Sequence, residues 1–226
     1  MILSGHQPVY LPGIILLTKI SMSNIFMFVG HCEFGKRNWH SHNYIRTGKL
    51  TVPTHKGPSI EETVVCGDHW KTKHLKSISF AYGKYPFFKE CFPELEATIW
   101  MPYAGLGALN RALIKLFLGW LEIDTEIIDH PFVRGYETPT EMLIQMCELV
   151  GADSYLSSPG EDYVDREQMA GKGITHYYQS FDDPDYGQRR LIINGVEQPL
   201  SALDLFFSKS RSEAGKIVRE AGHVLD

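Results

Sequence analysis

The residue types best suited to chemistry stand near the amino terminus. Gly5-His6-Gln7-Pro8-Val9-Tyr10-Leu11-Pro12 puts an imidazole and a carboxamide between a short apolar run and a turn stiffened by two prolines. A strand handing over to a helix at this point would leave the imidazole free to act as a general base, and the first amides of the helix would favour an anion. The bland alternative is a loop in which His6 and Gln7 merely satisfy backbone groups. The fixed shape of the segment favours function, so His6 is a candidate catalytic residue and Gln7 and Tyr10 candidate substrate-binding residues.

A second set gathers Lys36, Arg37, Trp39, His40, His42 and Asn43 in one polar stretch. Lys36 and Arg37 are donors for phosphate or carboxylate, and Trp39 offers a stacking face. A solvated loop is the alternative, although such loops seldom spend a tryptophan and several histidines. Lys36 is taken as a second candidate catalytic residue, with Arg37 and Asn43 as candidate binding residues. His31, Cys32, His40 and His42 are all capable of binding metal, but no C-x₂-C or H-x₃-H spacing unites them, and no metal site is assigned.

Further on, Trp70 and His74 stand four apart, on one face of a helix, with Lys73 beside them. Either Trp70 is core and the lysines are solvated, or the helix presents Lys73 (binding) and His74 (catalytic) to a site. Ser157, Gly160 and Tyr163 lie on a strand-turn-helix passage whose hydroxyls and amides suit an anion or a polar acceptor, and Gln179 suits an amide or a sugar. The passage lacks the glycine-rich dinucleotide and phosphate-loop patterns.

The elements that must position these residues are legible as alternating strands and helices. Met1 to Ser4, the helical pattern Ile14, Leu17, Ile20 and Met22, and the apolar run Ile25 to Val29 read as an opening βαβ unit. The second strand, apolar throughout, reads as buried on both faces of a parallel sheet. In open α/β sheets ligands bind beyond the carboxyl ends of the strands, which puts His6 and His31 on one rim. Short strands are expected at Leu50 to Pro53 and Thr63 to Cys66. Helices are expected after an Asp68 N-cap, at Phe87 to Cys91 between Pro86 and Pro93, and at Gly107 to Leu121. A second α/β passage follows: strand Thr125 to Ile128, a helix opened by Thr138-Pro139-Thr140-Glu141 and closed by Gly151, strand Ser154 to Ser157, helix Asp162 to Ala170 and strand Ile174 to Tyr178. Leu200 to Phe207 and Ser212 to Val224 read as helices. The fold class is therefore α/β, a mostly parallel, Rossmann-like sheet flanked by helices, in one domain spanning 1–226 with a helical insertion at about 69–121.

Composition bounds the function. The 226 residues carry 22 Lys plus Arg against 27 Asp plus Glu, a formal charge of −5, with 43% apolar and 12% aromatic residues, the profile of a folded globular chain. No basic run supports nucleic-acid binding, and the longest apolar stretches fall far short of a bilayer span. The amino terminus lacks a signal-peptide pattern, so a cytoplasmic location is expected, with Cys32, Cys66, Cys91 and Cys147 as free thiols.

The ordered set of motifs resembles the WbqC-like family. It comprises His6-Gln7-Pro8-Val9-Tyr10-Leu11-Pro12, Lys36-Arg37-Asn38-Trp39 with Asn43, Leu50-Thr51-Val52-Pro53, Trp70 with Lys73-His74, Tyr155-Leu156-Ser157 with Gly160, Tyr163-Val164-Asp165, Tyr178-Gln179 and Leu203-Asp204-Leu205-Phe206. Gly30-His31-Cys32-Glu33 stand where the family usually carries an acidic pair. The resemblance implies a role in O-antigen or other surface-polysaccharide biosynthesis, with a glycine-transferring activity suggested for one member. A fainter resemblance, at fold level, is to the nucleotidyltransferase-like fold of pantothenate synthetase. The expected function is a transferase or ligase moving a small acyl or aminoacyl group onto an activated sugar or related metabolite. The alternatives are an ATP-dependent nucleotidyltransferase-like enzyme and a non-catalytic sugar-nucleotide-binding module. The expected partner is a small anionic or sugar-linked metabolite, with a homodimer as the assembly considered; the cofactor is unknown.

Overall fold

The computed structural model describes residues 1–35, 38–129, 135–158, 160, 163–188 and 190–225. The chain opens with β1 (Ile2–His6), α1 (Ile14–Ser21) and β2 (Ile25–Phe28), the expected βαβ unit. Two small antiparallel pairs follow: β3 (His42–Ile45) with β4 (Gly48–Thr51), and β5 (Thr54–His55) with β6 (Val64–Val65). Helices α2 (His69–Tyr82), α3 (Phe88–Trp100) and α4 (Leu106–Trp120) form the helical block. The second α/β passage is β7 (Glu126–Asp129), α5 (Pro139–Val150), β8 (Ser154–Ser157), α6 (Arg166–Ala170) and β9 (Thr175–Phe181). A hairpin of β10 (Leu191–Ile193) and β11 (Val196–Gln198), then α7 (Leu203–Ser208), α8 (Arg211–Glu220) and β12 (Gly222–Leu225), complete the chain.

Six strands make the central sheet in the order β12-β9-β8-β1-β2-β7. All neighbouring pairs are parallel except β12 with β9. Numbered by their sequence within the sheet, the strands run 6-5-4-1-2-3, the order of doubly wound nucleotide-binding sheets. The order reverses between β1 and β8, because the chain leaves β1 toward β2 and later returns to β8 on its other side.

The two faces of the sheet feed two cores. Along β2, Phe26 and Phe28 belong to the larger cluster, with α1, the helical block, α7 and α8. Ile25 and Met27, with the following Val29, belong to the smaller one, with Leu143, Met146 and Cys147 of α5. Period-two alternation across a strand buried on both faces explains why the whole run is apolar. The helix at 139 is set by local signals as expected: Thr138 Oγ1 accepts from the Glu141 amide at 3.2 Å, the Glu141 carboxylate returns to the Thr138 amide, and Gly151 ends the helix at φ +69°.

Several elements differ from the sequence reading. The helix expected to stop before Pro93 continues to Trp100 with Pro93 inside it. Pro93 lies early in α3, so it removes one intrahelical bond, and burial of Cys91, Leu95 and Ile99 outweighs the loss. Asp68 does precede α2, but its carboxylate binds the Lys71 ammonium at 2.8 Å and makes no side-chain cap. The last helix ends at Glu220, and the residues after it form β12 on the edge of the sheet. Asp165, capping Gln168 N at 2.9 Å, starts α6 later than expected. The helix expected from Leu200 begins at Leu203. No helix among the described residues is long and apolar enough to cross a membrane. The four cysteines are free thiols.

Candidate functional site at the strand-order reversal

His6 ends β1 and Ser157 ends β8, so both stand at the point where ligands settle in sheets of this order. The loop after His6 is held by side chains from distant elements. Asn43 of β3 donates through Nδ2 to the carbonyls of Leu11 (2.6 Å) and Tyr10 (3.3 Å). Asn110 of α4 donates to the carbonyls of Pro8 (3.0 Å) and His40 (2.8 Å), and the Ala202 amide reaches Pro12 O at 2.9 Å. Leu11 has φ +44°, a left-handed conformation that is costly for a branched side chain and persists only where the surroundings enforce it.

The histidines here have readable tautomers. His6 Nδ1 lies 2.7 Å from the Gln7 carbonyl; a carbonyl only accepts, so Nδ1 carries the proton and the lone pair of the neutral ring is on Nε2. His40 Nδ1 accepts from the Gly35 amide at 3.3 Å, so its Nε2–H donates to Gln7 Oε1 at 2.7 Å. Burial, with the nearby charges of His6 and His42, lowers the His40 pKa to about 4. His42 is also lowered, by burial and by Lys49. Burial raises the Cys32 thiol, and a hydrogen bond from Gln7 opposes this. Gln7 thus couples the base to a neutral imidazole and a protonated thiol.

Two cavities share His6 as a wall. One, of about 300 Å³, lies against α1 and is lined by His6, Lys19, Trp39, Asn43, Ser158 and Gln179, among apolar neighbours such as Leu16 and Leu200. Lys19 is 1% exposed, and its ammonium bonds the carbonyl of Gly5 at 3.0 Å and Ser158 Oγ at 2.9 Å, straddling the ends of β1 and β8. Gln179 is 2% exposed; its Nε2 donates to Ile15 O at 3.0 Å, while its Oε1 has no partner among the described residues. Ile15 and Lys19 are one turn apart on α1, and both line this cavity with Gln179. The other cavity, of about 430 Å³, lies against α5 and is lined by Gly5, His6, Gln7, Cys32, Tyr136, Met142, Tyr155 and Tyr163. A Cβ at Gly5 would come 2.9 Å from Met146 Cε and 3.2 Å from Tyr155 Oη, so glycine lets both side chains lie close against the strand without shifting.

The structure brings together His6, Asn43 and Gln179 in the first cavity and His6, Gln7 and Tyr163 in the second. Lys36 and Arg37 lie outside the described residues. Tyr10 and His74 stand apart from both cavities. The Tyr10 hydroxyl meets His74 Nδ1 at 2.8 Å and His74 Nε2 donates to Thr51 O at 3.2 Å, both rings buried. With both nitrogens engaged and a pKa lowered to about 4 by burial, His74 has neither a charge nor a lone pair to offer a substrate, against the expectation for it. Lys73 is exposed on α2 and lines neither cavity. Ser157 is buried, with its hydroxyl 2.8 Å from His176 Nε2. Gly160 is an exposed turn residue at φ +83°.

Sequence reasoning missed Lys19 and His176. The available signal for Lys19 was the single charge in the Ile14–Ile20 run, which is apolar but for Thr18 beside it. Among the described residues no group of three or more His, Cys, Asp or Glu side chains converges in a way that could hold a metal ion.

The chain is 28% identical over 213 residues, 89% of its length and 91% of the relative's, to the uncharacterized protein Rv1507c of Mycobacterium tuberculosis. No solved structure matches it. The family model for WbqC-like proteins matches residues 7–215, almost the whole chain and every strand of the central sheet but β1 and the edge strand β12. The chain belongs to the WbqC-like protein family.

Proposed function

We propose that the protein is a biosynthetic transferase or ligase that moves a small acyl or aminoacyl group, such as glycyl, onto an amino or hydroxyl group of an activated sugar or related metabolite. The observation that carries the reading is the place of His6, at the reversal of strand order, in the wall shared by two cavities. A transfer between two substrates needs a base reachable from both. Lys19 supports an anionic or oxyanionic group in the smaller cavity, whose lining also includes Gln179, a combination that suits an α-amino carboxylate or its activated ester. The tyrosine-lined cavity suits the polar acceptor. In the reaction the acceptor N–H or O–H gives its proton to His6 Nε2 as its lone pair attacks the acyl carbon of an activated donor. The new C–N or C–O bond forms as the bond to the leaving group breaks, the electron pair departing with that group.

Mass spectrometry of mixtures of the protein with glycine, ATP and amino-sugar nucleotides tests this. Formation of an acylated sugar nucleotide, abolished in His6→Ala, is the expected result; saturable binding without product in any mixture overturns it in favour of a binding module. The strand order supports a second reading, nucleotidyl transfer from ATP, for which release of pyrophosphate without acylated product is the mark.

A further inference from the structure

A third cavity, in the helical block, lies outside everything assigned so far. It holds about 380 Å³ and is lined by Asp68, Trp70 and Lys71 from the start of α2, by Trp100, Met101, Pro102 and Tyr103 at the end of α3, and by Val65, Gly67 and Leu109. The volume is at the lower end for small-molecule sites.

Its chemistry is unusual for a solvent-facing hollow. Trp100 is 46% exposed and Met101 56% exposed at the rim, so indole and thioether surface is left open to water. Trp70 forms the floor at 5% exposure, and its indole N–H has no acceptor among the described residues. Lys71 sits over the Trp100 ring at 5.5 Å, and its charge is already met by Asp68 at 2.8 Å, with the Met101 carbonyl at 3.5 Å. The pair cancels in net charge yet exposes a carboxylate, Asp68, that accepts hydrogen bonds. An anion gains nothing from a neutralised lysine beside a carboxylate, and a purely apolar ligand would leave the carboxylate unanswered. A ring with C–H groups on its faces and hydroxyls on its edge suits both features: its face packs against the exposed part of Trp100, and a hydroxyl donates to Asp68.

We propose that this cavity binds a neutral sugar ring, as a site separate from the one at the strand-order reversal and independent of the activity assigned there. The four tryptophans make the test direct, because they report different places: Trp39 lines the cavity beside His6, Trp70 and Trp100 line this one, and Trp120 is buried, donating to Glu94 at 2.8 Å. The full chain is titrated with methyl glucoside, galactose and N-acetylglucosamine while the four indole N–H signals, assigned by single Trp→Phe variants, are followed by NMR. Saturable shifts of the Trp70 and Trp100 signals with at least one sugar, Trp120 standing still, are expected, and Trp100→Ala, at an exposed position, should weaken that binding at least tenfold. The proposal is overturned if no sugar moves Trp70 and Trp100 up to 100-millimolar concentrations (roughly the weakest binding such a site would show). It is equally overturned if only Trp39 moves, if Trp100→Ala binds as tightly as the parent, or if inorganic phosphate and not sugar produces the shifts.

Discussion

The Tyr10 hydroxyl donates to His74 Nδ1 at 2.8 Å across sixty-four positions of sequence, inside the larger core. The direction follows from the other side of the ring, where Nε2 donates to the Thr51 carbonyl. Tyr10 is thereby tied to the helical block while its own carbonyl is held by Asn43. Replacing Tyr10 by Phe leaves a buried ring nitrogen without a donor and should cost about 1–3 kcal/mol, read as a lower urea midpoint. Ligand affinity beside His6 should be unchanged in that variant; a selective loss of affinity would make Tyr10 a substrate contact after all.

Acid should destabilise the protein through the same residue. The His74 pKa falls from 6.5 in the unfolded chain to about 4 in the fold, and His40 falls to about 4 as well. Each is neutral in the native state, so the unfolded chain binds more protons below pH 6.5, and stability is lost as pH falls from there toward 4. Unfolding midpoints measured from pH 7 to pH 4.5 should decline steadily, and His74→Gln should decline less steeply over the same range. A flat profile would mean that neither ring is held neutral.

Substituting His6 by Ala removes the proposed base while leaving the strand and its pairing in place. Turnover should drop about a hundredfold or more, the usual effect of losing general-base catalysis, with the melting temperature little changed. Full activity in that variant would exclude His6 from the mechanism.

Lys19→Met keeps an unbranched side chain only one atom shorter and deletes the ammonium that joins Gly5 O to Ser158 Oγ. Calorimetric titration with an anionic ligand of the smaller cavity should show at least a tenfold loss of affinity, about 1.4 kcal/mol. If affinity survives and only stability falls, Lys19 is a strut between two strand ends.

Asn43→Ala frees the carbonyls of Tyr10 and Leu11 and removes the main restraint on a residue at φ +44°. A cost of about 1–3 kcal/mol is expected for the unpaired buried groups. Faster amide exchange in the 7–13 loop should accompany it, while exchange in α5 should stay as it was.

The parts of the fold that were legible in the sequence are those governed by neighbours in the chain. The uniformly apolar Ile25–Phe28 announces a strand covered on both faces, and Thr138 with Glu141 announces a helix start before any tertiary contact is known. What stayed hidden depends on distant partners: α3 passes through Pro93 because α4 and α7 pack against it, and β12 is a strand only because β9 offers it an edge. In the site, the rim position of His6 could be read from its loop. Lys19 could not, since a lysine in an apolar helix ordinarily reaches for solvent, and the meeting of β1 and β8 gives it polar partners indoors that no local pattern announces. His74 misled for the opposite reason, its spacing from Trp70 being equally good for a core face.

Asn110 gives the helical block a meaning that its look of an insertion conceals. Its one amide group, from the middle of α4, grips Pro8 and His40 together, so part of the mould for both segments bordering the base is supplied by the block itself. The block is therefore no detachable ornament on a nucleotide-binding sheet: a shortened chain lacking residues 69–121 would keep every strand that ends at the rim, yet lose the shape of the rim. Inheritance of the two should be joint, and a relative without the helices would need a different first loop.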